Sequence, residues 1–219
     1  MPAPTKATAN GDIAIGVHGL TIYWSEQSFP EASVATQEQL MGALQVVVNL
    51  TRCVALKRAL AAAEPEPALN FWRVLQGNLL DTAVLEWCKL FGSDDEEHQQ
   101  VHWKNIFTDE AEFRANLFTH LGMEQEGWGA YWQQMKAYRD QRVAHLDINR
   151  RDVTHFPELG SALSSAVYYY SRLIWELRAL GETRFPDDLS AYYDAFQAQA
   201  SEIAQTATAS TRGFTERVL

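Results

Sequence analysis

Residues 36–60 read TQEQLMGALQVVVNLTRCVALKRAL, and their pattern indicates the fold class. Thr36 and Gln39 have the spacing of a capping box, in which each side chain satisfies a backbone N–H of the first helical turn. The sequence EPEP at 64–67 then ends the helix, because a residue before proline is pushed out of the helical region. Apolar side chains follow the cap at the spacing of one helix face, namely Leu40, Leu44, Val47, Val54 and Leu60.

Five further segments carry similar helical signals. Thr108 is suited to begin one of them, and Gly92, Gly122 and Gly181 follow the ends of three. Most connections are short, which places successive helices antiparallel. The sequence therefore predicts an all-α fold, an antiparallel bundle of five to six helices. We expect the later helices at about 68–91, 108–121, 126–147, 157–180, and from 186 or 188 to just before 210.

Composition divides the chain into three parts. Its 219 residues, 47% of them apolar, suffice for one domain with a sizeable core. We expect residues 1–33 to form an N-terminal arm, in which the apolar stretch at 13–24 adds a short strand or packs as an extended segment. Residues 34–208 then form the helical bundle, and residues 209–219 fray as a C-terminal tail.

Composition also argues against several classes of protein. The formal net charge of −10 disfavours a protein that coats nucleic acid through a general basic field, although it is compatible with a local basic site. No apolar run approaches the length of a membrane span, and the N-terminus lacks the apolar core of a signal peptide. Cys53 and Cys88 lie within apolar helical patterns, which favours buried free thiols over a disulfide. We therefore expect a cytoplasmic location and no membrane partner.

The sequence contains little that is typical of cofactor or metal sites. Neither the dinucleotide-binding nor the P-loop pattern of glycines occurs, so the sequence predicts no cofactor. His98 and His102 are four residues apart and could bind zinc from one helix face, with the acidic residues 94–97 beside them. The sequence HQQVH lacks the glutamate of metalloproteases, however, and a loop with a helix-capping histidine is the favoured interpretation.

Aromatic residues are abundant, with 7 Trp and 8 Tyr. A platform for stacking nucleic-acid bases would need exposed rings beside cations. Aromatic side chains at helical spacing are more often part of a core or a subunit interface, which is the interpretation we favour.

Residues 138–147, YRDQRVAHLD, are the stretch best suited to chemistry. Arg139, Asp140, Arg142 and His145 lie within it, and two further arginines follow, which makes this the densest cationic region of an acidic chain; they are Arg150 and Arg151. Histidine gains and loses its proton near neutral pH, and a guanidinium can hold two phosphate oxygens. Phosphodiester cleavage needs these two functions, so Arg142, Arg150 and Arg151 are candidate phosphate-binding residues.

Helix geometry leaves two interpretations open. On a straight α-helix, Arg139 and His145 would point about 120° apart. A single chain would bring them together only if the helix unwinds, whereas a symmetric pair of helices could bring two copies of each to a twofold axis. In the structural alternative, Arg142 and His145 offset the dipole at the helix C-terminus and Asp140 pairs with an arginine.

The motif resembles the signature of the HEPN superfamily, an arginine, usually followed by Asn or Asp, with a histidine four to six residues after it. Arg139, Asp140 and His145 match this pattern. Two preceding segments are similar to the abortive-infection (AbiU-like) branch of that superfamily. They are FWRVLQGNLLDTAVLEWCKLFGS at 71–93 and HWKNIF at 102–107, and the resemblance covers roughly residues 36–180.

This resemblance implies a helical bundle that forms a homodimer through its motif helices. Many members are metal-independent endoribonucleases of toxin–antitoxin or phage-defence systems, in which the 2′-hydroxyl attacks the RNA backbone. By that likeness His145 would be the general acid or base, Arg139 would stabilise the pentacoordinate phosphate, and Asp140 would orient the site. Other members are non-catalytic dimerisation or interaction modules. No effector domain is evident in this sequence, so an antitoxin or effector would be a separate chain.

Overall fold

The computed structural model describes residues 13–17, 20–24, 35–64, 69–93, 100–144 and 156–216. The chain separates into two compact units, residues 1–32 and 33–219. The first unit contains an antiparallel hairpin of β1 (Ile13–Val17) and β2 (Leu20–Trp24), with Ile13 opposite Trp24. A strand was one of the two alternatives for this stretch.

The second unit is a helical bundle, and the predicted all-α fold class is confirmed. Its described residues form seven α-helices, one more than the upper predicted number, because a single turn, α3, lies between the second and third predicted helices. A π-helical turn, Arg139–Ala144, follows α5 without a break. The helices are α1 (Gln37–Ala61), α2 (Asn70–Phe91), α3 (Trp103–Ile106), α4 (Glu110–Leu121), α5 (Gln125–Tyr138), α6 (Gly160–Ala179) and α7 (Leu189–Thr211).

Helix α1 is the centre of the bundle and packs against α2, α6 and α7. Its predicted capping box is confirmed, since the Thr36 N–H donates to Gln39 Oε1 at 2.9 Å and the Gln39 N–H donates to Thr36 Oγ1 at 3.2 Å. The predicted apolar face is also confirmed, because all five of its residues are buried, namely Leu40, Leu44, Val47, Val54 and Leu60.

Helix α1 also has a property that the sequence reading did not anticipate. By length and composition it is apolar enough to cross a membrane, with a mean hydropathy of 1.3 over its best window. Half of that window is buried inside the bundle. A core helix that is surrounded by other helices passes the same test, which makes the hydropathy weak evidence for a membrane span.

The core is unusually aromatic, as expected from the spacing of the rings. Trp87 is fully buried and its ring lies 5.5 Å from Phe91 and 5.6 Å from Tyr131, centroid to centroid. The Trp87 indole N–H donates to Ser165 Oγ at 3.0 Å, so its polar atom is satisfied inside the core. These contacts join α2, α5 and α6 and hold the middle of α5 in place.

The two cysteines are free and buried, as the sequence indicated. Burial raises the pKa of the Cys88 thiol to about 11 and the pKa values of the Tyr168 and Tyr170 hydroxyls to about 12. These three groups therefore stay neutral in the folded protein at pH values where the same groups are already ionised in the unfolded chain. Their ionisation favours the unfolded state at alkaline pH.

We expect the free energy of unfolding to be nearly constant from pH 7 to 8.5 and to fall above about pH 9, where an unfolded cysteine ionises. The fall should continue as pH rises through the folded pKa values of about 11 and 12. Urea denaturation followed by circular dichroism at half-unit pH steps would measure it. A urea midpoint that stays constant up to pH 11 would contradict the expectation.

Candidate functional site

The backbone changes from α-helix to π-helix where the motif begins. Helix α5 ends at Tyr138, and Arg139–Ala144 form one π turn. The sequence had predicted an α-helix that continues to residue 147; this prediction is wrong for Arg139–Ala144, and residues 145–147 lie outside the described residues. A π turn has i→i+5 hydrogen bonds, is rare, and is found frequently at functional sites. The Arg/Asp pair of the motif therefore lies on an unusual stretch of backbone.

An aspartate of α2 anchors this turn. The Tyr138 hydroxyl donates to Asp81 Oδ1 at 2.7 Å, and Arg142 Nε lies 3.9 Å from the same oxygen. Burial, together with the hydrogen bond to Asp81, raises the pKa of Tyr138, so the hydroxyl remains a donor. Asp81 is a site residue that the sequence reasoning missed. The one available signal was a carboxylate within the apolar run Leu79–Leu85 of α2.

Two aromatic rings hold the guanidinium of Arg142. Its Cζ atom lies 5.4 Å from the centroid of Phe156 and 6.0 Å from that of Tyr138. The Arg142 side chain is 31% exposed, and Nε is buried without a hydrogen bond among the described residues. The planar end of Arg142 is thus held in one orientation by stacking and by the charge of Asp81.

Arg139 and Asp140 form an ion pair on the same turn. Arg139 Nη2 and Nε lie 2.6 and 2.7 Å from Asp140 Oδ1, and the two side chains are 22% and 39% exposed. The Nε and Nη2 edge of the Arg139 guanidinium is therefore paired with Asp140, and Arg139 Nη1 has no partner in the described part of the chain. This pair is the contact that the structural alternative expected of Asp140.

Other predicted site residues lie outside the described residues, so their positions are not given. They are His98, His145, Arg150 and Arg151. His102 is described and is buried at the N-terminus of α3, where its Nδ1 accepts from the Lys104 N–H at 3.4 Å. Its Nε2 lies 3.3 Å from the carbonyl oxygen of Gly92. His102 is thus a helix-capping residue.

No group of three metal-ligating side chains occurs in residues 35–64, 69–93, 100–144 and 156–216. The thiol nearest the motif is Cys88, which carries the electrostatic influence of Arg139 and Asp140. Because burial raises its pKa to about 11, it is a thiol rather than a thiolate near neutral pH and is not suited to be a nucleophile.

Exposed apolar side chains lie beside the motif. Phe156, which contacts Tyr138 and Arg142, is 55% exposed. Val74 is 60% exposed and precedes Asp81 by seven residues, which places the two within about 20° of each other around α2. The face that carries the candidate site is therefore partly apolar.

Asp81→Ala should lower the free energy of unfolding by about 1–3 kcal/mol, because the buried Tyr138 hydroxyl would lose its acceptor. Urea denaturation would measure the change. Tyr138→Phe removes the other partner of the same hydrogen bond. The loss in the free energy of unfolding of the double variant should therefore be smaller than the sum of the losses of the two single variants. Strictly additive effects would show that the 2.7 Å contact does not couple α2 to the π turn.

No family model matches this chain, and no curated protein or solved structure was found to match it. The fold and the site geometry define a structural class. The protein is an all-α bundle in which a π turn at the surface carries the ion pair of Arg139 and Asp140. The assignment to the HEPN superfamily stays a prediction from the sequence motifs.

Proposed function

We propose that this protein is a homodimeric, metal-independent endoribonuclease of the HEPN type. The observation that supports it best is the π turn, which brings Arg139, Asp140 and Arg142 to a partly exposed surface directly before His145. The proposed setting is the cytoplasm, where RNA is the substrate and a separate antitoxin or effector chain controls activity in phage defence or growth control.

The proposed chemistry is a transesterification within the RNA backbone. The 2′-hydroxyl oxygen attacks the adjacent phosphorus, its proton passes to a general base, and the bond to the 5′-oxygen breaks as that oxygen takes a proton. The products are a 2′,3′-cyclic phosphate and a free 5′-hydroxyl. His145 is the proposed acid or base, and Arg139 stabilises the charge that develops on the phosphate oxygens.

A dimer through the motif face would complete the site. Phe156 and Val74 supply exposed apolar surface on that face, and a twofold axis would bring two copies of Arg139 and His145 together. Because Asp140 and Asp81 offset the charges of Arg139 and Arg142, Arg150 and Arg151 are the residues proposed to give this acidic chain a local cationic surface for the RNA phosphates.

A second candidate function is a non-catalytic interaction module that uses the same face. The ion pair between Arg139 and Asp140 favours it, because a guanidinium that is already paired with a carboxylate is less available to a phosphate. In that case the apolar side chains near the motif would bind the partner and the arginines would only shape the turn.

Incubation of the purified protein with total RNA in the presence of EDTA tests the proposal. We expect cleavage that is unchanged by the chelator, products that end in a 2′,3′-cyclic phosphate, and a dimer in size-exclusion chromatography with light scattering. Activity that EDTA abolishes and zinc restores would contradict the proposed site, and a monomer at micromolar concentration would exclude the composite site.

A further inference from the structure

A second candidate site lies in an open cleft on another face of α2. The cleft has a volume of about 770 Å³ and is bounded by α1, α2 and the loop between α6 and α7. Glu86, which lines it, follows Asp81 by five residues, so the two point about 140° apart around α2. The cleft is therefore separate from the π turn, and its size is typical of small-molecule sites, which are about 300–1,000 Å³.

A buried carboxylate organises one wall of the cleft. Glu86 is only 8% exposed, and each of its oxygens has a partner. Asn49 Nδ2 donates to Oε1 at 2.9 Å, and the Lys89 ammonium donates to Oε2 at 2.9 Å. The Lys89 side chain is half exposed, so this contact fixes an ammonium group with further N–H donors at the cleft.

Arg52 is the second cation of the cleft, and it lies one helical turn after Asn49. Its Nε donates to the hydroxyl of Tyr192 at 2.5 Å, and its Cζ lies 5.8 and 5.9 Å from the ring centroids of Tyr192 and Phe196. These contacts orient the guanidinium while Nη1 and Nη2 have no partner among the described residues. A pair of terminal guanidinium nitrogens held in this way suits a phosphate or a carboxylate.

The net charge at this end of the cleft is +1, because Arg52 and Lys89 are positive and Glu86 is negative. The other acidic residue of the lining, Glu38, precedes Arg52 by 14 residues, which separates them by about 21 Å along α1. The remainder of the lining is largely apolar and includes Met41, Val46, Val48 and Phe185. A cationic end and a largely apolar body thus share one cleft.

From this arrangement we propose that the cleft binds a small molecule with an anionic group, a phosphate monoester or a carboxylate, attached to an apolar or aromatic body. The anionic group contacts Arg52 and Lys89, and the body rests against Val48 and Phe185. This site is independent of the proposed RNA cleavage, since it uses none of the motif residues.

Isothermal titration calorimetry on the full chain tests the proposal with three probes. Phenyl phosphate and phenylacetate represent the two anionic groups, and benzyl alcohol is the neutral counterpart. We expect millimolar or tighter binding of at least one anionic probe and no measurable binding of benzyl alcohol. Arg52→Gln should weaken the anion tenfold or more, because it loses the charge and both terminal nitrogens.

Matched variants decide where the probe binds. Arg73→Gln removes an exposed arginine of α2 that does not line the cleft, and it should leave the affinity unchanged. Phe185→Ala should weaken phenyl phosphate severalfold but not inorganic phosphate. The proposal is overturned if neither anion binds at millimolar concentration, or if Arg52→Gln binds as the wild type does. It is equally overturned if Arg73→Gln weakens binding as much as Arg52→Gln.

Discussion

Arg139→Ala and His145→Ala should each reduce RNA cleavage about a hundredfold or more, the effect expected when a positioned acid–base or a charge stabiliser is lost. The melting temperature of Arg139→Ala should hardly change, because its described ion pair is to Asp140 on the same turn and both side chains are partly exposed. Such pairs contribute less than about 1 kcal/mol. Cleavage assays and thermal melts by circular dichroism on the same preparations would measure both.

Two further variants sharpen this test. Arg139→Lys should restore activity only in part, because an ammonium is a point charge and cannot hold two phosphate oxygens as a guanidinium does. Arg114→Ala is the matched control, since Arg114 is an exposed arginine that pairs with Glu110 in a similar way on α4. It should cleave and melt as the wild type does.

The possible outcomes separate the two candidate functions. If Arg139→Ala and His145→Ala melt and cleave as the wild type does, the motif is structural and the protein is better described as an interaction module. If the variants do not fold, the π turn is a structural joint and the assignment of catalytic roles loses its support.

Trp87→Ala should lower the free energy of unfolding by about 3–5 kcal/mol, the usual cost of truncating a fully buried large aromatic side chain. Trp87 is 0% exposed, contacts the rings of Phe91, Trp128 and Tyr131, and donates to Ser165. The melting temperature should therefore fall by about 6 °C or more for a chain of this size.

Phe214→Ala is the control for this core variant. Phe214 is 69% exposed, so its removal should change the free energy of unfolding by no more than about 0.5 kcal/mol. Equal effects of the two substitutions would mean that the aromatic core around Trp87 does not stabilise the bundle as the contacts indicate.

The sequence predicted those parts of the fold that leave a periodic signal. Thr36 and Gln39 cap α1 as expected, and Leu40 to Leu60 bury the expected face. The π turn was not predictable in this way, because one wider turn shifts the hydrophobic pattern too little to be distinguished from ordinary scatter. Helix ends agreed with the prediction where a glycine follows them, as at Gly92 and Gly122. The predicted cap Thr108 is wrong, because Asp109 caps α4 by accepting from the Glu112 N–H, and α7 continues to Thr211, past the predicted end before residue 210.

The candidate site was only partly predictable for a related reason. Arg139, Asp140 and Arg142 are neighbours along the chain, so their residue types and spacing drew attention to them. Asp81 acts through a contact with Tyr138, 57 residues away in sequence. A single polar contact between distant segments has no period and no motif, and only the packing of α5 on α2 reveals it.

The bond between Asp81 and Tyr138 has a consequence for the order in which the protein is made. Helix α2 emerges from the ribosome well before residues 138–144, and the long intervening chain must close before the π turn can dock on it. The surface that presents Arg139 is thus completed only after residues 138–144 have been made and have docked on α2. For a protein proposed to cut RNA, a nascent or incompletely folded chain would be harmless to the ribosome that produces it.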